Sequence, residues 1–196
     1  MKALKILSYS FLTFCLVACG GNKEPQHEER VVEEVNPETG IISLRDYSFS
    51  DTITIGGKLY DYTYSLEHVD SMPVLINPQG LEYTESCVKI SIKQGETKVF
   101  DKVFYKSNFN ENVPENFLRT STMVGVNYNV TKREEDNSAF YFIVTVGDPD
   151  ETSDMVYPLE LKVATDGTYS IKKAENLETE SLNPGLNIDP STDASV

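Results

Sequence analysis

Through the middle of this chain apolar residues recur at every second position. Val124, Val126, Tyr128 and Val130 alternate with Met123, Gly125, Asn127 and Asn129; Tyr157, Leu159, Leu161 and Val163 alternate with Val156, Pro158, Glu160 and Lys162. Successive side chains of a strand point to opposite faces, so this period predicts strands with one buried face. The run AFYFIVTV, Ala139 to Val146, is apolar on both parities and predicts a central strand. Turn residues punctuate the pattern at Gly56-Gly57, Gln94-Gly95, Glu135-Asp136-Asn137 and Asp166-Gly167. The stretch Val113 to Ser121 departs from it: Pro114 suits a first helical turn, and Phe117 with Leu118 can cover a sheet end. Together these predict a mainly β domain, an antiparallel sheet or sandwich with one short helix.

A different pattern opens the chain. Lys2 and Lys5 precede an apolar run from Ile6 to Val17, which small Ala18 closes. That is the layout of a secretory signal. A spanning helix needs about 20 apolar residues to cross a core of about 30 Å, so the run is an export signal and not an anchor. Leu16-Val17-Ala18-Cys19 resembles the lipobox of bacterial lipoproteins. The resemblance implies cleavage between Ala18 and Cys19 and attachment of diacylglycerol to the Cys19 sulfur. One acyl chain holds marginally and two or more hold stably, so Cys19 would tether the chain to a membrane.

Residues 1–18 are thus expected to be a lipoprotein signal peptide. Residues 19–40 are polar and acidic with only three valines, too little apolar surface to offset ordering entropy, and are expected to be a flexible tether. Residues 176–196 hold no aromatic and two prolines among acids and hydroxyls, and are expected to be a disordered tail. That leaves 41–175 as one β domain, long enough to bury a core. The whole chain carries a formal charge of -14, and loss of Lys2 and Lys5 takes it to -16. Nucleic acid is therefore excluded as a partner, since binding it needs a basic face. Cys15 leaves with the signal and Cys19 carries lipid, so Cys87 has no intrachain partner and the domain must hold together by its core. A monomer is expected.

Motifs that carry chemistry are absent: the chain has no GxSxG, no glycine-rich phosphate loop, no HExxH and no CxxC. Outside the tether the one histidine is His68, and nothing in the sequence places it within reach of Cys87. Strand parity sets Cys87 with Lys89, Ser91 and Lys93, opposite Val88, Ile90 and Ile92, which predicts an inert thiol on the less buried face. The stretch GDPDETSD offers Asp148, Asp150, Glu151 and Asp154 as oxygen ligands. It lacks the glycine and final glutamate of a helix-loop-helix calcium site and reads as a solvated acidic hairpin loop, so no metal or other cofactor is expected. Tyr60, Tyr62 and Tyr64 share one strand face. They predict a core edge with hydroxyls reaching water, or else an aromatic face that stacks on a glycan or protein partner.

The segments GKLYDYTYSL, DSMPVLINPQGLEY, VKISI, KVFDKVFYKSNF and GDPDETSDMVYPLELKV resemble the run of motifs in the Gram-negative lipoprotein family catalogued as domain of unknown function 4738. The resemblance covers most of the region from Asp51 to Lys172 and implies an exported, lipid-anchored β domain in a cell envelope, at an outer membrane, on its periplasmic or surface face. It carries no catalytic residues. Asp51-Thr52-Ile53 and Asp70-Ser71-Met72 resemble the O-glycan acceptor pattern of envelope proteins in the same bacterial group, which makes Thr52 and Ser71 candidate acceptors. The expectation is a non-catalytic binding or accessory module held by Cys19, with an envelope protein or glycan as partner. The alternative is a hydrolase of envelope or glycan substrates that uses paired carboxylates, whose separation is spatial and not sequential.

Overall fold

The computed structural model describes residues 33–174. The signal peptide, Ala18, Cys19 and the 176–196 tail lie outside the described residues. In chain order the strands are β1 (Glu33–Val35), β2 (Ile42–Leu44), β3 (Tyr47–Ile55), β4 (Lys58–His68), β5 (Leu75–Ile76), β6 (Glu82–Tyr83), β7 (Ser86–Gln94) and β8 (Thr97–Phe104), then β9 (Thr122–Tyr128), β10 (Ala139–Gly147), β11 (Val156–Ala164) and β12 (Tyr169–Lys173). Two short helices interrupt them, α1 (Glu115–Leu118) and α2 (Val130–Glu135), with a 3-10 turn at Lys106–Phe109.

Two four-stranded antiparallel sheets, ordered β3-β4-β7-β8 and β12-β11-β10-β9, face each other across one core. Every second residue of β4, β7, β10 and β11 enters it, as the period of two predicts. Rings bridge the layers: Tyr60 meets Phe140 edge-on at 5.3 Å, and Tyr169 meets Phe100 at 5.7 Å. β10, the run apolar on both parities, is an inner strand between β9 and β11. Its outward Tyr141 is only 1% exposed, beneath the Lys162 ammonium and beside α2. The β3–β4 hairpin turns on Gly56 and Gly57, whose φ of 57° and 76° supply the two left-handed positions of a two-residue turn.

Four features differ from the sequence reading. A third sheet, ordered β1-β2-β6-β5, contains a parallel pair between β2 and β6, formed by strands of two and three residues too short to show a period. Its edge strand β1 lies inside the span expected to be flexible tether: Glu33–Val35 pairs with β2, and Glu33 accepts a hydrogen bond from the Tyr83 hydroxyl at 3.0 Å. Val130, expected to continue the inward row of β9, is exposed and begins α2, because the Asn129 side chain accepts from the Lys132 N–H at 2.9 Å and caps a helix there. Met123 and Val124 are both buried although they are neighbours, since the register of β9 on β10 shifts between Thr145 and Val146.

Candidate functional site

The aromatic stripe is the first place to look for a binding face. Tyr60, Tyr62 and Tyr64 alternate along β4 on its inner face and are 2%, 5% and 6% exposed. Tyr62 stacks on Tyr128 at 4.7 Å, and both Tyr62 and Tyr64 meet Phe142 edge-on near 6 Å. The rings are core, not a surface that could stack on a glycan. Burial pushes the Tyr62 and Tyr64 hydroxyls up, and lifts Tyr128 to about 12. The hydroxyls do not all reach for water either. Tyr64 takes a hydrogen bond from the Tyr128 backbone, which offsets part of its burial. From β3, the Tyr47 hydroxyl donates to the Val126 carbonyl at 3.0 Å and accepts from the Val126 N–H at 2.8 Å. Hydroxyls from one sheet thus satisfy the free edge of β9 in the other.

A second cluster lies where β7 and β9 begin. Glu85, 6% exposed, forms an ion pair with Lys106 at 2.5 Å and accepts from the Thr122 hydroxyl at 2.8 Å. Lys106 also donates to the Ser121 carbonyl at 2.9 Å, and the Ser86 N–H donates to Thr122 Oγ1 at 2.8 Å. Lys106 forms one wall of a half-open cavity of about 510 Å³, completed by Asn110, Glu115, Leu118 and Arg119. Its charges cancel in pairs, Lys106 with Glu85 and Arg119 with Glu115 at 2.8 Å. Among the lining residues Glu115 is the one carboxylate, and it is engaged. No sequence motif announces this cluster, because its members lie in three separate segments.

The acidic loop between β10 and β11 is held to the third sheet. Buried Asp148 accepts from the Asp150 N–H at 3.2 Å and from the Asn77 amide at 3.4 Å, and the Glu151 N–H donates to Glu33 at 3.0 Å. Asp150 accepts from the Thr152 hydroxyl and N–H at 2.6 and 2.8 Å, which holds its carboxyl below the usual range. The loop is therefore anchored at its start and not freely solvated throughout. Among the described residues no group of three His, Cys, Asp or Glu side chains could hold a metal ion.

Cys87 is 3% exposed, against the parity-based expectation, and burial raises its thiol. Asp46, on the turn between β2 and β3, and the Glu67–Lys89 pair act on the thiol from this nominally outer face. The His68 ring pairs with Asp46 at 2.8 Å and lies 3.7 Å from Asp70, so the carboxylates and not the sulfur are its partners. The hydrogen bond to Asp46 raises the His68 pKa above 6.5. A raised histidine contributes stability that is full below its unfolded pKa and fades as pH rises through the folded one. His68→Gln should therefore lower the melting temperature relative to wild type at acidic pH, with the deficit shrinking as the pH is raised from acidic to alkaline. Melting curves of both proteins across that range test this, and a deficit independent of pH would contradict it. Thr52 is exposed on β3 and Ser71 in the loop after β4.

The model of the family described as Domain of unknown function (DUF4738) matches residues 26–171. No curated protein matches the chain.

Proposed function

The chain belongs to the family described as Domain of unknown function (DUF4738), and on that premise we propose that it is a lipid-anchored protein of a bacterial cell envelope whose β domain works as a non-catalytic binding or accessory module. The observation that carries the proposal is the junction Leu16-Val17-Ala18-Cys19, where an apolar run too short to span a bilayer ends at a small residue and a cysteine. The non-catalytic part draws support from the described domain. The cavity beside Lys106 has one carboxylate in its lining, ion-paired with Arg119, and among the described residues His68 pairs with Asp46 and not with Cys87. An outer-membrane location, a monomeric state and an envelope protein or glycan as partner belong to the same proposal.

The lipid anchor is tested at Cys19. Cys19→Ala removes the atom that would carry the acyl chains, and no other apolar run in the chain approaches spanning length. Cells fed labelled palmitate should incorporate it into wild type and not into Cys19→Ala, and wild type should partition into the detergent phase. Unlabelled, fully soluble wild-type protein would remove both the anchor and the membrane location from the proposal.

A further inference from the structure

The two large sheets have four outer edges, and three carry a visible obstacle to an added strand. β9 has the Tyr47 hydroxyl on its Val126 backbone. β8 has a register shift opposite Ile92/Lys93 and the lysines Lys98 and Lys102, and β12 is five residues long and ends in Lys172-Lys173. Lysines, irregularities and shortness are the usual means by which an edge is kept from pairing with another chain. β3 has none of these. It runs for nine residues, YSFSDTITI, in unbroken register with β4 from Tyr47–Leu66 to Ile55–Lys58, with no Lys, Arg, Pro or bulge. Five consecutive residues, Ser48 to Thr52, are exposed.

The one charge in β3 is Asp51, at its centre. Its Oδ1 accepts from the Thr52 N–H at 2.7 Å, so this amide is turned to the open edge and already occupied. We propose that Asp51 closes the β3 edge against addition of a second copy of this chain. The argument is one of register. When β3 pairs antiparallel with its own copy about a two-fold axis, odd-numbered residues face odd-numbered ones. The other row, Ser48, Ser50, Thr52 and Thr54, is all hydroxyls and pairs with itself in every register. The Asp51 row behaves differently. Centred pairing sets two carboxylates opposite each other, and each shifted register sets the carboxylate against Phe49, Ile53, Tyr47 or Ile55, where it loses water and gains no partner. Every pairing also displaces the carboxylate from the Thr52 amide. With that charge gone, the row would be apolar throughout and the edge self-complementary.

The test uses the complete chain purified in detergent, with its protein mass measured by light scattering and its amides followed by hydrogen exchange. Wild type should run as one chain. Asp51→Val should shift the mass towards two chains and slow exchange at Ser50 and Thr54, and adding Thr52→Lys, a charge on the same edge, should return it to one. If Asp51→Val loses its native near-ultraviolet spectrum, Asp51→Asn, which keeps the shape and removes the charge, is measured in its place. The proposal is overturned if the folded variant keeps the wild-type mass, if Thr52→Lys leaves the association intact, or if wild type itself pairs through β3.

Discussion

Lys106→Ala is expected to destabilise the domain by about 3 kcal/mol or more, because removing one partner of a buried ion pair leaves the other charge uncompensated. The Lys106 side chain is 18% exposed and that of Glu85 only 8%, so the carboxylate left behind has little access to water. The Ser121 carbonyl loses its donor in the same step. Replacing both partners with apolar residues of similar size, Lys106→Met with Glu85→Leu, should recover most of the loss, since a buried pair as a whole adds little over well-packed hydrophobic residues. Urea unfolding of the three proteins tests this. A single variant within about 0.5 kcal/mol of wild type would mean that the pair is solvated like a surface bridge.

Tyr62→Ala should cost about 3–5 kcal/mol, the range for deleting a large aromatic side chain from a core. Tyr62 stacks on Tyr128, meets Phe142 edge-on and lies 6.4 Å from both Phe49 and Tyr64, so its removal opens a void bounded by both sheets. Tyr64→Phe keeps the ring and removes only the hydroxyl that the Tyr128 backbone engages, a loss of about 0.5–1.5 kcal/mol. The contrast separates packing from edge satisfaction. Chemical unfolding of Tyr62→Ala that stays within about 0.5 kcal/mol of wild type, as for a surface substitution, would contradict the core placement.

Strands that bury one face were legible because burial writes itself into the chain as a period of two. β4, β7 and β11 follow that period, β10 shows instead as a run apolar on both parities, and the glycine pair at 56–57 marks the β3–β4 hairpin. β2, β5 and β6 were not legible, since strands of two or three residues repeat nothing. α2 left a faint signal in its Asn129 cap, outweighed by the apolar alternation that runs into Val130. Cys87 was misplaced for a related reason. Parity tells which face of a strand a residue occupies, while some of the groups that act on that face, Asp46 among them, come from elsewhere in the chain.

By itself the sequence determined what local chemistry writes down: a mainly β domain without catalytic motif, its principal turns, an acidic charge, and the Leu16–Cys19 junction on which the anchor proposal rests. Tertiary structure alone decided what the side chains are for. It turned the tyrosine stripe into core, because a second sheet lies over β4, and it spent the Tyr47 hydroxyl on the β9 backbone, because an open edge leaves amides that need partners. It also brought Glu85, Lys106 and Thr122 together and left Asp51 standing on the one long edge without another guard. Such relations join residues distant in the chain, and no spacing records them, because folding is what makes them neighbours.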